Sequence, residues 1–524
     1  MVLRKTINQT LVFLYRWYVP EICLFFVSAG LYLFNAFRYS LPTGYAGLYT
    51  LMTEQLGANA FQLPRSVPFY GPGGFPYAYP PAGFYLAALF INLLKVPSFT
   101  YLRFMPPLMT LVFLALDYVL IRYMTSSRIK SLLGVSLTSV AGAIYEYHIQ
   151  AAGMVRSLAL VFATGALILT WMVLSRTRPV RTTYLQAILA GAALALTVLT
   201  HLSYALFAIL GIAIFSLFAE KCSWHWRVIL SGVIFVSALV FSSVWWGTIL
   251  SRYGFTVLTN PARSHGNFEV FHALTVVGAR SAPVLFVQKF IGVTYNWMPA
   301  ILTGLIVAGL TFFILRRNWR LPVLFLLVFL AIGEPDRFLL IIGGIAAAEF
   351  LGSVLEFVYL QDMNRQQVNF MIYTCAACIL LAFPYYGALK MVRSDQPTLS
   401  NSAIEMATWI RNSTAADAKY LLLDKNNDLD EWIPYLTHRT PIVGSWGGEW
   451  SGNLASLEYL GSSLDVCLSS QSYACIQDLI AHKKLQVTIL ISPRGNASLI
   501  DQIRASASWQ TAFMNDRFVV FTSK

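Results

Sequence analysis

The stretch "FPYAYPPAGFYLAALF", residues 75–90, sets three prolines among tyrosines and phenylalanines directly before an apolar run. A water-soluble core does not need that arrangement, whereas tyrosines are common where a protein meets the membrane surface. Pro80 and Pro81 suit the start of a helix, where a missing N–H costs nothing. The stretch therefore predicts a stiff, aromatic loop that leads into an apolar helix at a membrane.

Composition supports a membrane protein. Of the 524 residues, 57% are hydrophobic and 12% are charged, against about 25% charged in soluble domains. The mean hydropathy is +0.61, and apolar runs long enough to cross a bilayer recur through most of the chain. No small-residue cleavage site follows the first run, so we expect an anchor and not a removed signal peptide. The predicted class is a mainly α, polytopic helical bundle in a plasma or inner membrane.

Loop charge predicts the topology. The basic loops "RYMTSSRIK" (122–130), "RTRPVR" (176–181), "EKCSWHWR" (220–227) and "RRNWR" (316–320) fall on one side, which the positive-inside rule makes cytoplasmic. The net charge of +13 is thereby explained without nucleic acid, which we exclude as a partner. The N-terminus is predicted inside and the C-terminus outside. The eleven predicted spans lie near 20–37, 101–121, 131–149, 154–174, 184–200, 203–220, 226–249, 297–315, 320–333, 337–359 and 367–389.

This count leaves residues 82–96 as a helix that does not span. A crossing there would put "RYMTSSRIK" outside, against the charge rule. We therefore predict an interfacial helix within the first outer loop, residues 38–100. The alternative is that 82–96 spans and another helix lies in the interface.

Residues 391–524 are more polar than residues 1–390, which form the predicted transmembrane domain. Alternating helix-like and strand-like segments such as "KYLLLD" and "VTILISP" predict a small extracytoplasmic α/β domain. Cys467 and Cys475 lie in it and could form a disulfide in an oxidising compartment; two free thiols are the alternative.

Polar residues on the outer face are the candidates for chemistry, because ionisable groups near a bilayer usually face a water-filled cavity. Arginine binds phosphate in a bidentate manner, and aromatic planes suit sugar rings and lipid interfaces alike. Each residue taken alone could instead be an ordinary membrane anchor. The candidates are Arg156, His201, Arg252 and Arg337 for phosphate; Tyr45, Tyr49, Tyr77, Tyr79, Trp246 and His265 for sugar or acceptor; and the carboxylates Glu54, Glu146 and Asp336.

The long first outer loop, its "YPP" segment and the outer C-terminal domain resemble the GT-C superfamily of integral-membrane glycosyltransferases. More narrowly, the chain resembles bacterial and archaeal membrane proteins labelled 6-pyruvoyl-tetrahydropterin synthase-related. The matching stretches are "LPRSVPFYGPGGFPYAYPPAGFYLAALF" (63–90), "AAGMVRSLALVFA" (151–163), "LTHLSYALFA" (199–208), "SSVWWGTILSRYGF" (242–255), "AIEMATWIRNSTAADAKYLLL" (403–423) and "GSWGGEW" (444–450).

The resemblance implies transfer of a sugar from a polyprenyl-phosphate donor to a glycan, lipid or protein acceptor on the outer side. It also implies an acidic residue soon after the first span, serving as base or helping to hold a divalent metal. Here "LPTGYAGLYTLMTEQL" (41–56) has Tyr45 and Ala46 near that place, with Glu54 about two helical turns further on. One carboxylate is a poor metal site by itself.

Three functions stay open. In the first, the chain is a glycosyltransferase whose catalytic carboxylate is Glu54, Glu146 or Asp336. In the second, it is a non-catalytic relative that binds a lipid-linked sugar or scaffolds envelope assembly. In the third, it transports a lipid-linked glycan. Transporters often show inverted repeats and interrupted helices, and neither is visible in the sequence. Glu349, within a predicted span, is expected to pair with a neighbouring helix and not to move an ion.

Overall fold

The computed structural model describes residues 18–71, 73–264, 267–268, 284, 287–290, 300–359 and 388–524. Most of this part of the chain is helical. The helices up to residue 359 are α1 (Val19–Arg38), α2 (Gly47–Ala58), α3 (Ala82–Asn92), α4 (Ser98–Thr125), α5 (Arg128–Ser139), α6 (Gly142–His148), α7 (Gly153–Leu174), α8 (Arg181–Val198), α9 (Leu202–Leu217), α10 (Trp224–Tyr253), α11 (Thr256–Ser264), α12 (Ala300–Leu315), α13 (Arg320–Ala331) and α14 (Asp336–Tyr359).

Five of the described helices are long and apolar enough to cross a membrane: α1, α4, α7, α10 and residues Asp336–Glu356 of α14. Helices α9, α13 and Leu302–Leu315 of α12 are apolar but shorter. The chain is thus an integral membrane protein, as predicted. A helix lies at each predicted span from 20–37 to 337–359, whereas 367–387 of the last predicted span fall outside the described residues. The count of eleven crossings stays a prediction.

The predicted span 131–149 is not one helix but two, α5 and α6, with a break after Ser139. Before the break, the Ser136 and Thr138 hydroxyls donate to the backbone carbonyls of Leu132 and Gly134. Such back-bonding competes with the helix ladder and bends helices. The Ser139 carbonyl accepts a hydrogen bond from the Tyr32 hydroxyl at 2.7 Å, which satisfies a group that the end of the helix leaves free.

Helix α3 begins directly after Pro80–Pro81 and has 11 residues. At 1.5 Å per residue it is about 16 Å long, which is too short for a hydrocarbon core of about 30 Å. The helix that the sequence extends to residue 96 ends at Asn92, and its place in the membrane interface stays a prediction. The Ala82 N–H donates to the Leu199 carbonyl at 2.8 Å, which fixes its start against the end of α8.

Ion pairs stabilise the end of the bundle that carries the basic loops. Arg128 on α5 pairs with Glu21, and Arg320 on α13 pairs with Glu220. Lys130 is 7% exposed, and its Nζ lies 2.8 Å from Glu349 Oε1 on α14. The predicted pairing of Glu349 with a neighbouring helix is therefore confirmed.

Residues 388–524 contain the strands β3 (Lys419–Leu422), β4 (Thr440–Pro441), β5 (Ile489–Pro493), β6 (Trp509–Met514) and β7 (Phe518–Ser523). They form one mixed sheet in the order β4-β3-β5-β7-β6. Strand β3 is parallel to β4 and β5, and β7 is antiparallel to β5 and β6. A disulfide joins Cys467 to Cys475. The helices here are α15 (Ala388–Ser394), α16 (Asn401–Ser413), α17 (Asn427–Thr437), α18 (Gly448–Ser451), α19 (Leu454–Ser469), α20 (Tyr473–His482) and α21 (Ala497–Ala505).

Helix α17 packs on α2 of the first outer loop, whose strands β1 (Ser66–Val67) and β2 (Phe75–Pro76) pair with each other. The Glu431 carboxylate accepts hydrogen bonds from the backbone N–H groups of Gly47, at 2.5 Å, and Leu48, at 2.7 Å. It thereby caps the N-terminus of α2, where backbone donors have no partner within the helix. A Cβ at Gly47 would lie 2.7 Å from the Glu431 carbonyl oxygen, so only glycine permits this approach.

Candidate active site

A cavity of about 370 Å³ lies where the first outer loop, the N-terminal ends of α7, α9 and α14, and the C-terminal part meet. It brings together Tyr45, Tyr49, Tyr79, Arg156, His201 and Arg337 from the candidates that the sequence predicts. The other residues around it are Leu48, Pro80, Leu202, Ser203, Leu206, Pro261, Asn267, Phe268, Glu334, Glu431, Trp446, Glu449 and Trp450.

Arg156 lies on the first turn of α7 and is held by aromatic residues. Its Nη2 donates to the Tyr45 hydroxyl at 2.7 Å. Its guanidinium carbon lies 5.7 Å from the ring centroid of Tyr45 and 5.6 Å from that of Tyr147. Its Nε is buried and has no hydrogen-bond partner among the described residues. The positive charge is therefore oriented by neutral rings and by the Tyr45 hydroxyl.

Arg337, the second residue of α14, is 4% exposed. Its guanidinium carbon lies 4.1 Å from the Tyr147 ring and 5.4 Å from the Tyr204 ring. Nη1 lies 3.2 Å from Glu334 Oε2, while the buried Nε has no hydrogen bond to any described residue. Arg156 and Arg337 both lie against the Tyr147 ring and both line the cavity. Paired guanidinium groups are well suited to phosphate.

His201 caps the start of α9, since its Nδ1 accepts a hydrogen bond from the Ser203 N–H at 3.3 Å. Its ring centroid lies 6.1 Å from that of Tyr79, in an edge-on arrangement. The imidazole therefore lies at the cavity beside Tyr79. Its hydrogen bond to the start of α9 fixes its orientation.

Aromatic rings from residues 38–100 and from residues 444–450 form the part of the wall that adjoins Arg156. Tyr45 packs on Trp446 with centroids 4.6 Å apart, and Tyr79 packs on Trp450 at 5.4 Å. The Tyr49 and Tyr79 hydroxyls are 3.2 Å apart. Burial raises the pKa of Tyr79 to about 12, so its hydroxyl stays protonated at neutral pH. Flat rings with hydroxyl and indole donors can stack on a sugar and bind its hydroxyls.

Three carboxylates line the cavity, and none of them is among the predicted catalytic carboxylates Glu54, Glu146 and Asp336. Glu334 forms the ion pair with Arg337. The two oxygens of Glu431 accept from the start of α2, and burial raises the pKa of Glu431 to about 8. Glu449, in "GSWGGEW", is partly buried, and burial raises its pKa to about 7.

Several predicted residues do not line the cavity. Arg252 donates instead to the carbonyls of Leu63 and Pro64, at 3.0 and 3.2 Å, and anchors the first outer loop. Tyr77 is fully buried and donates to the Met52 carbonyl, because its ring faces into the loop. The Trp246 indole donates to the Leu239 carbonyl on its own helix, α10.

The three predicted carboxylates also lie outside the cavity wall. Glu54 accepts a hydrogen bond from the Tyr435 hydroxyl at 2.8 Å and so joins α2 to α17. Glu146 interacts electrostatically with Asp336 and Arg156, behind the arginines. Asp336 is 2% exposed at the start of α14. His265 falls outside the described residues.

A divalent metal needs several oxygen ligands that are free to coordinate it. Across the described ranges, His, Cys, Asp and Glu form no group of three that could hold a metal ion. Two of the three carboxylates around the cavity are already engaged, Glu334 by Arg337 and Glu431 by backbone N–H groups. The described residues around the cavity therefore do not by themselves fit a metal centre, and the divalent metal that the resemblance implies stays a prediction.

No protein-family model and no curated protein matches the sequence. Solved structures do match the fold. The oligosaccharyltransferase of Archaeoglobus fulgidus, tethered to an acceptor peptide, has a TM-score of 0.61 at 13% identity over 91% of this chain and 69% of that one. The same archaeal enzyme with an inhibitory peptide and dolichol-phosphate has a TM-score of 0.57 at 14% identity, over 92% and 70%.

ArnT from Cupriavidus metallidurans, bound to undecaprenyl phosphate, has a TM-score of 0.55 at 12% identity over 97% of both chains. These proteins are GT-C glycosyltransferases. The chain therefore shares the fold of this class, in agreement with the resemblance seen in the sequence.

Proposed function

We propose that this protein is a membrane glycosyltransferase that takes a sugar from a polyprenyl-phosphate donor and transfers it to an envelope or lipid acceptor on the outer face. The observation that carries the proposal is the convergence of Arg156 and Arg337 on one cavity, each with a buried Nε that no described residue engages. A phosphate supplies the acceptors that these donors lack. The narrower 6-pyruvoyl-tetrahydropterin synthase-related group stays a prediction.

The phosphate, the sugar and the lipid chain of the donor each have a suitable environment at the cavity. Its phosphate binds Arg156 and Arg337, and its sugar lies against Tyr45, Tyr79 and Trp450. The lipid chain extends between the apolar helices. As the bond to phosphate breaks, negative charge grows on the leaving lipid phosphate, and guanidinium groups fixed in advance stabilise it.

The proposed topology places residues 391–524 and the cavity outside and the basic loops in the cytoplasm. The disulfide Cys467–Cys475 supports this side for the C-terminal part, since disulfides persist in oxidising compartments. The basic residues of "RTRPVR" and "RRNWR" lie at the other end of the bundle, consistent with the charge rule.

A non-catalytic relative that binds a lipid-linked sugar is the second candidate. It is favoured by Tyr45 standing where the resemblance implies an acid, and by Glu54 being hydrogen-bonded to Tyr435 outside the cavity wall. Both candidates need the same donor site, and they differ only in whether sugar leaves the lipid.

Binding of undecaprenyl phosphate to the purified full chain tests the donor site. We expect Arg156→Ala and Arg337→Ala each to weaken binding by roughly 1.5–3 kcal/mol, about 10- to 150-fold, the usual size of a charged hydrogen bond. Arg156→Lys keeps the charge but not the planar fork, and should recover only part of the affinity. Arg316→Ala, at the other end of the bundle, is the control and should bind normally. Wild-type affinity in both alanine variants would overturn the site.

A further inference from the structure

We infer that Glu449, from the C-terminal part, is the catalytic base that deprotonates the acceptor hydroxyl. This inference rests on the proposed function, because it assigns a role at the same cavity. Among its described residues, the first outer loop brings no carboxylate to the cavity. The segment "GSWGGEW", residues 444–450, supplies one in its place.

The geometry selects Glu449 from the three carboxylates that line the cavity. Glu431 has each oxygen within 2.7 Å of a backbone N–H and serves as the cap of α2. Glu334 forms an ion pair with Arg337 and so lies beside the proposed phosphate site. Glu449 lies on the aromatic side next to Trp450, where a sugar and an acceptor would meet.

The segment around Glu449 is held in place from both sides. Gly447 has φ +83°, and a Cβ there would come within 2.3 Å of the Phe75 ring of the first outer loop. Trp450 is 3% exposed and packs on Tyr79. Gly452 also has a positive φ, +75°. A carboxylate between such anchors is oriented before substrate binds, which is what an efficient base requires.

The proposed transfer needs only the donor, the acceptor and side chains that line the cavity. The acceptor oxygen forms a bond to the anomeric carbon, and its proton passes to the Glu449 carboxylate. The bond between that carbon and the phosphate oxygen breaks, and the electron pair leaves with the lipid phosphate, next to Arg156 and Arg337. Burial raises the pKa of Glu449 to about 7, which suits a general base at neutral pH.

Two measurements on the full chain test this role. The first is binding of undecaprenyl phosphate to purified protein. The second is transfer of label from a panel of polyprenyl-phosphate hexoses and pentoses to acceptors in membranes of the producing host. We expect Glu449→Gln to bind the lipid phosphate like wild type and to transfer sugar about 10²- to 10⁴-fold more slowly, the usual contribution of a general base.

The pH profile separates a base from a structural residue. Wild-type turnover should fall as the pH drops below about 7, where Glu449 becomes protonated. Glu449→Asp should keep that limb with reduced turnover, and the residual activity of Glu449→Gln should lose it. Glu458→Gln is the matched control, because it makes the same change at an exposed position of the following helix.

Other outcomes overturn the inference. Wild-type transfer by Glu449→Gln, or a loss confined to Glu54→Gln, would exclude Glu449 as the base. Loss of lipid-phosphate binding together with transfer in Glu449→Gln would make it a structural residue. An unmutated protein that binds undecaprenyl phosphate but transfers no sugar would defeat the glycosyltransferase itself and leave the non-catalytic relative.

Discussion

Buried or partly buried cations lie at both ends of the helical bundle, and they have different partners. At the end with the basic loops, Lys130 pairs with Glu349 and Arg128 with Glu21. At the cavity, Arg156 is held by the Tyr45 hydroxyl and by aromatic rings, with no carboxylate within ion-pairing distance in the described part of the chain. Arg337 has Glu334, whose side chain is 55% exposed.

The difference separates structural charge from binding charge. In a buried ion pair each charge compensates the other, and removing one partner leaves the other charge buried without compensation. A cation held by neutral rings keeps its charge unbalanced and attracts an anion. The same residue types therefore stabilise the fold at one end and form the proposed phosphate site at the other.

Lys130→Met should have the largest effect on stability. It leaves Glu349 without the Lys130 partner, and we expect a loss of about 3–5 kcal/mol in the free energy of unfolding. Arg156→Met leaves no carboxylate behind and should cost about 1 kcal/mol, the value of one hydrogen bond. Unfolding of the two variants in the same detergent measures the contrast.

The double variant Lys130→Met with Glu349→Met is the control for that pair. Because it removes both charges, most of the lost stability should return. If Lys130→Met unfolds like wild type, or if Arg156→Met is the less stable of the two, the distinction between the two ends is wrong.

Gly47→Ala should have an intermediate effect, since the new Cβ would meet backbone atoms of Glu431 and Trp432 at 2.7 and 2.9 Å. We expect a loss of about 1–3 kcal/mol, typical of overpacking, and weaker undecaprenyl phosphate binding as α2 shifts. Gly30→Ala, in the interior of α1 with nothing within 4 Å, is the control and should be neutral or stabilising. Equal stability of the two variants would show that α17 does not constrain α2.

The last prediction concerns pH, where the expected change per pH unit is smaller than the loss expected for Lys130→Met. The pKa of the Glu431 carboxyl is raised from 4.5 to about 8 by burial, so the folded protein holds this proton more tightly than the unfolded chain does. The stabilisation is complete below pH 4.5 and is lost as the pH rises towards 8, with a limit of about 1.4 kcal/mol per pH unit. Glu431→Gln should show a flatter dependence of unfolding temperature on pH between 5 and 8. Parallel curves for the two proteins would contradict the raised pKa.

Apolar runs were enough to predict most helices, because a span is encoded locally by length and hydropathy. The break after Ser139 was missed, since it depends on hydroxyl back-bonds and on Tyr32 from another helix. Arg156 and His201 both line the cavity, and both stand at helix starts on the predicted outer side. Arg252 also lies at a helix end on that side, and its direction depends on loop carbonyls that sequence spacing does not reveal.

The carboxylates at the cavity could not be predicted in the same way. Glu431 lies in an ordinary amphipathic helix, and its partners are Gly47 and Leu48, almost the whole chain away. "GSWGGEW" did contain a signal, because two tryptophans between glycines in a polar region are unusual. That signal identified a resemblance but did not indicate a site, since nothing local says what the loop contacts.

The cap on α2 has a consequence for synthesis. Gly47 emerges from the ribosome 384 residues before the carboxylate that binds its N–H. At about 5–20 residues per second, Glu431 is synthesised roughly 20–80 s after Gly47. During that interval the start of α2 lacks the Glu431 cap, and the cavity has no outer wall from residues 444–450. The cavity proposed as the donor site is therefore incomplete until the last quarter of the chain has been synthesised.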